Sequence, residues 1–112
     1  MSDWRADEAR NEVRSRGTNE WIQAAHDSFG EESEMDRYLC ECSDLSCAST
    51  VSLTRTEYEA VRADGHTFAI MQHHENPEID ALVIEHPRYS IVAKLPGVPA
   101  TIAYASDPRR PR

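Results

Sequence analysis

The chain's only three cysteines, Cys40, Cys42 and Cys47, fall within eight residues, in the run Leu39-Cys40-Glu41-Cys42-Ser43-Asp44-Leu45-Ser46-Cys47. Two histidines, His73 and His74, follow about one small structural unit downstream. Three thiolates and one imidazole make up a closed tetrahedral zinc site. Cys40 and Cys42 are two apart, so on a strand both side chains face the same way. The four residues before Cys47 are enough for a tight loop back to the same ion, and Asp44 and Ser46 suit a turn. The fourth ligand is expected to be His74, then His73, with His66 a more distant third. Adjacent strand residues point to opposite sides, so one of the paired histidines would face the metal and the other solvent.

Two plainer readings compete. Small thiols can simply pack in a core, but Glu41, Ser43, Asp44 and Ser46 make a poor core segment. A redox pair would place two residues between its cysteines, and Cys40 and Cys42 have one. Among metals, soft thiolates with an imidazole favour Zn2+, although iron also binds thiolates. The motifs of catalytic zinc are missing. No His-x-Glu precedes a Pro-Cys-x-x-Cys, and His74-Glu75 runs into Asn76-Pro77-Glu78 rather than completing His-Glu-x-x-His. Glu75 would be the acid–base partner if the metal were catalytic. No glycine-rich phosphate loop and no serine nucleophile elbow is present, and the balance leans away from an enzyme.

A chain of 112 residues forms one domain, with or without a helical arm, and a structural metal suits so modest a core. Twenty acidic residues against 12 basic ones give a formal charge of −8. That argues against direct nucleic-acid binding, which needs a basic face. No apolar run approaches the ~20 residues of a membrane span. Met1-Ser2-Asp3-Trp4-Arg5 lacks the pattern of a secretory signal, so a cytoplasmic location is expected.

Residues 3–29 read as helical, with Ile22, Ala25 and Phe29 on one face, a break at Gly17-Thr18 and a stop at Gly30. Tyr38-Leu39-Cys40 and Thr50–Leu53 read as strands of a hairpin-like unit. Thr54 and Glu57 have capping-box spacing, and Leu53 with Tyr58 fits a hydrophobic staple. A helix from Arg55 to Ala63 should follow, then a strand at Thr67–Met71. Asn76-Pro77 predicts a helix start, with Ile79, Leu82 and Val83 buried and His86-Pro87 ending it. Tyr89–Leu95 reads as a strand, Pro96 to Pro99 as a turn, and Thr101–Ala105 as a last edge strand. The tail from Ser106 reads as loose.

From Tyr38 to Leu95 the chain resembles a small, largely uncharacterised family of soluble bacterial, mainly actinobacterial, proteins. The resemblance rests on Leu39-Cys40-Glu41-Cys42-Ser43-Asp44 with Cys47, on Leu53-Thr54-Arg55-Thr56-Glu57-Tyr58-Glu59-Ala60-Val61-Arg62, and on Tyr89-Ser90-Ile91-Val92-Ala93-Lys94. Asn19-Glu20-Trp21-Ile22 also looks similar. It implies the fold and a Cys-x-Cys-x4-Cys…His metal pattern, with the family histidine on His74. It implies no activity.

The expected object is an α+β protein: a small antiparallel sheet with packed helices, pinned by a structural metal. Residues 1–36 would be a helical arm and acidic connector, 37–105 the metal-binding domain, and 106–112 a flexible tail. Ile70, Leu82, Val83, Ile91 and Val92 would form the core. The expected function is a regulatory or adaptor protein that binds another protein, with transcription as one candidate setting, or that forms a homodimer. The alternative is a zinc-dependent enzyme or a metal/thiol redox sensor. Trp4 and Trp21 are the candidate contact residues, because Trp is enriched where interfaces are strongest.

Overall fold

The computed structural model describes residues 4–29, 35–44 and 46–109. The expected helix stop at Gly30 and most of the acidic connector lie outside them.

Helix α1, Trp4–Phe29, runs unbroken through Gly17-Thr18. The expected break is absent because the helix is anchored on both sides of the glycine. Ala6, Ala9, Glu12, Arg16, Asn19 and Gln23 recur every three or four residues and are all buried. This buried stripe is largely polar, so apolar periodicity shows it poorly. Each such group needs a partner. Arg16 donates to the carbonyls of Gly65 (2.7 Å) and Ala103 (2.8 Å). Gln23 accepts from the Tyr38 hydroxyl and donates to Glu59 at 3.0 Å. Trp4 and Trp21 face outward, Trp21 with 79% of its surface exposed.

Strands β1 (Asp36–Leu39) and β2 (Thr50–Leu53) pair antiparallel, with Tyr38 opposite Val51. Helix α2, Arg55–Arg62, starts at a complete capping box. The Glu57 amide donates to the Thr54 hydroxyl (3.0 Å), and the Thr54 amide donates to the Glu57 carboxylate (2.8 Å). Leu53 and Tyr58, the staple pair, are fully buried.

Strands β3 (Thr67–Ile70), β4 (Asp80–His86) and β5 (Tyr89–Lys94) form an antiparallel sheet in the order β3-β5-β4. The helix expected from Asn76 to His86 is therefore corrected to a turn and a strand. Asn76-Pro77 does open a helical turn, whose Asn76 carbonyl accepts the amides of Ile79 (3.0 Å) and Asp80 (2.8 Å). One turn is all it makes. Leu82-Val83-Ile84 is largely β-branched, and β5 offers a complete ladder. The register shifts between Leu82 and Ile84, which leaves Val83 as an inserted bulge residue. Leu82, Val83 and Ile84 are each about half exposed, so Leu82 and Val83 do not belong to the core. Ile70 and Val92 are fully buried, and Ile91 packs at the margin.

The last expected strand is also corrected. Val98–Ala105 is helix α3, with proline in its first turn and Gly97 at φ 101° before it. Thr101 bonds back to the Gly97 carbonyl at 2.9 Å. Beyond α3 the chain stays attached as far as it is described. Buried Asp107 pairs with Arg62, and Arg109 bridges Glu20 and Glu59. Arg110 to Arg112 lie outside the described residues.

The three-stranded sheet is covered on both faces. One carries Phe68, Ile70 and Val92 against Val13 of α1, Ala103 of α3, and the cysteines. The other carries Ala69, Tyr89 and Ile91 against Tyr38, Val51 and Leu53 of the hairpin and Tyr58 and Val61 of α2. Tyr38 and Tyr58 stack at 4.3 Å. The result is an α+β fold of antiparallel sheets and packed helices.

Candidate metal centre

Two chain segments meet where the candidate ligands lie. The first is the loop from β1 to β2. Its path is fixed at both ends, by the Cys40 amide on the Ser49 carbonyl (3.0 Å) and the Cys47 amide on the Asp44 carbonyl (3.0 Å). The Asp44 carboxylate accepts the Ser46 amide (2.9 Å) and hydroxyl (2.7 Å), which closes the turn as an Asx motif. The second segment follows β3. His73 takes a left-handed backbone, φ 69°, and the His74 amide returns to the Met71 carbonyl at 3.1 Å. That turn carries the His74 ring toward the cysteines while His73 is exposed.

The ligand atoms of Cys40, Cys42, Cys47 and His74 all lie within 4.8 Å of one another. His74 Nδ1 is 3.5 Å from Cys40 Sγ and 3.6 Å from Cys47 Sγ. In a zinc tetrahedron with Zn–S of about 2.3 Å and Zn–N of about 2.0–2.1 Å, the S···N edge is about 3.5 Å. The two measured edges therefore fit one zinc ion. With Nδ1 facing the sulfurs, a bound ion would leave the imidazole proton on Nε2. His66 is elsewhere, held between Asp64 and the Tyr104 hydroxyl.

The thiols are electrostatically unequal. Cys42 is pulled down to about 5, first by the hydrogen bond from Cys40, with further bonds from the Asp44 backbone, His74 and Cys47. Cys40 is pushed well above the usual thiol range, first by that same bond and then by burial. A bound cation would displace the Cys40 proton outright. The Met71 amide already points at Cys40 Sγ from 3.1 Å, a bond that supports a thiolate.

Glu41, between two of the cysteines, is the residue whose role the sequence hid. It is fully buried. Its carboxylate accepts the Ala69 amide (2.9 Å), the Asn19 side-chain amide (2.8 Å) and the Tyr58 hydroxyl (2.8 Å). Its own amide donates to the Ala69 carbonyl at 2.9 Å. One side chain thus ties the cysteine loop to β3, α1 and α2. Asn19 helps from the other side, accepting the Leu39 amide (2.7 Å) and donating to the Leu39 carbonyl (2.9 Å) as a neighbouring strand would. Asn11 donates to the Ser43 carbonyl at 2.9 Å. The polar spacing of Asn11 and Asn19 on α1 was the available signal.

A buried charge cluster lies beside the centre. Lys94, Glu12 and Asp80 are in contact, and all three side chains are fully enclosed. Burial pushes Asp80 up to about 7, and the Cys42 charge adds to that shift. Burial lowers Lys94 to about 7. The Asn76 amide reaches Asp80 at 3.3 Å, linking this cluster to the segment that carries His74.

Fold and site together define a small α+β protein with a candidate structural metal site built from three cysteines and one histidine. No helix of the described residues is long and apolar enough to cross a membrane. No protein-family model, no curated protein and no solved structure matches the chain. The sequence resemblance therefore assigns no family.

Proposed function

We propose that the chain is a zinc-stabilised adaptor or regulatory protein, with Cys40, Cys42, Cys47 and His74 as the ligands of one structural Zn2+. The observation that carries the metal reading is the pair of S···N separations, 3.5 and 3.6 Å, at the edge length of a zinc tetrahedron. Four protein ligands fill the coordination shell and leave no position for a reacting water, which favours a structural role over catalysis. Elemental mass spectrometry of purified reduced protein should give one zinc per chain, and X-ray absorption should show three sulfurs and one nitrogen. Metal-free protein that melts at the same temperature with and without added zinc would overturn the reading.

The adaptor role draws on β4. It is an edge strand of its sheet, and Leu82, Val83 and Ile84 present half-exposed apolar side chains there. Such an edge accepts an extended segment of another protein as an added strand. A native-host pull-down with wild type and with Val83→Lys should recover a partner that the variant loses. Equal recovery by both proteins would count against this surface.

A second reading, a thiol redox sensor, draws on Cys47, which alone of the three cysteines is partly exposed. Zinc retained under mild peroxide would remove it.

A further inference from the structure

Gly17 sits mid-helix in α1, where glycine costs about 1 kcal/mol relative to alanine. Nothing among the described residues requires it. A Cβ built at Gly17 meets no atom within 4 Å, and the backbone there is ordinary helix. The missing side chain therefore serves no packing contact among the described residues. Around it lies a shallow groove lined by Arg14, Gly17, Thr18 and Trp21. Trp21 is the most exposed large apolar residue among those described. Arg14 is exposed and has no ion-pair partner among the described residues.

We infer that this face of α1 is a homodimer interface, in which two copies cross antiparallel with Gly17 and Thr18 at the contact. The order along the groove is cation, glycine, threonine, aromatic. A twofold axis midway between Gly17 and Thr18 sets residue 14 of one copy opposite residue 21 of the other. Each Arg14 guanidinium then lies over the partner copy's indole, twice per dimer, and Trp is the best ring for such a contact. Glycine at the crossing lets the backbones approach closely. The contact is isologous, the commonest closed arrangement for soluble oligomers. Charge permits it in an acidic chain, because two described carboxylates of α1 are engaged within their own copy: Asp7 with Arg10, and Glu20 with Arg62 and Arg109. The contact uses none of the four candidate ligands and leaves β4 free, so it stands or falls separately from the metal reading.

Sedimentation equilibrium of the full chain, at concentrations up to about 100 μM, tests it. Wild type should approach twice its 12.7 kDa chain mass. Gly17→Leu replaces glycine with a strong helix former; it should keep the fold, raise the thermal midpoint of the monomer and weaken dimerisation at least tenfold. Arg14→Ala and Trp21→Ala should each be monomeric alone. Mixed in equal amounts they should recover dimer, because the heterodimer restores one Arg14–Trp21 contact. A monomeric wild type, or dimers that persist equally in Gly17→Leu and Trp21→Ala with unchanged circular dichroism, would overturn the inference.

Discussion

At the scale of single residues, the candidate centre depends as much on carboxylates as on sulfur. Among the described residues no basic side chain touches buried Glu41, and three donors hold its carboxylate. Burial pushes its carboxyl upward, and the bonds from Asn19, Ala69 and Tyr58 oppose that shift. Glu41→Gln would set an amide donor against a donor, since both carboxylate oxygens accept. The expected loss is about 2–4 kcal/mol, from broken charge-assisted bonds and a stranded polar group, read by urea unfolding of the zinc-loaded protein. Cys42→Ser should cost more. It removes a thiolate that the site already holds at about 5, and with it most of the metal affinity. Zinc content should fall below one per chain, and the melting midpoint should drop by about 10 °C or more. Glu57 gives a pH signature of its own. Arg88, bonded to it at 2.7 Å, holds its carboxyl down to about 2 from a usual 4.5. A carboxylate depressed by folding stabilises the fold above its unfolded value and loses that contribution as pH falls through the folded one. The stability difference between wild type and Arg88→Ala should therefore be full above pH 4.5 and shrink toward pH 2. A difference that stays constant over that range would refute the assignment.

At the scale of elements, what could be read from the sequence followed how local the signal was. The α2 cap was plain in Thr54 and Glu57 because both partners lie within one turn. The β1–β2 hairpin and the Cys/His cluster were legible because the residue types themselves dictate chemistry. The β4 segment was not. Asn76-Pro77 is a real helix-start signal and does make a turn, but the outcome downstream depends on pairing with β5, a tertiary effect that local pattern does not encode. Thr101–Ala105 failed similarly: two β-branched residues, two alanines and a tyrosine suit either state, and packing of α3 against α1 decided it. The helical nature of α1 was clear, but a buried stripe made mostly of polar residues does not register as apolar periodicity. The corrected assignment has a measurable consequence. A helix with Leu82 and Val83 buried would lose several kcal/mol on Val83→Lys. The exposed strand should change by no more than about 0.5 kcal/mol, whereas Val92→Ala in the core should cost about 1–3 kcal/mol. Comparable losses in the two variants would restore the helix.

At the scale of the whole molecule, the metal would add a crosslink where the Glu41–Ala69 and Met71–Cys40 bonds already bring two distant segments together. Cys40 and His74 are 34 residues apart, and the segment between them includes β2, α2 and β3. Closing a loop of that length in the unfolded chain is worth about 4 kcal/mol on chain entropy alone. The two layers over the sheet are not equally dependent on it. On the hairpin side, Tyr38, Leu53, Tyr58 and Val61 make an apolar cluster that contains no ligand. On the α1–α3 side, Cys40 and Cys42 are themselves part of the packing around Phe68 and Val92, and the buried Lys94, Glu12 and Asp80 lie within it. Losing the ion would leave thiols to repack beside buried charges, so this layer should loosen first. Hydrogen exchange after chelation should show protection lost at residues 40–47 and 71–76 and along the middle of α1. The α2 amides and the Tyr38–Val51 pair should keep most of theirs. Uniform loss across both layers would mean that the cluster is a single cooperative staple for the whole chain, and no loss at all would mean that the thiols are only packing groups.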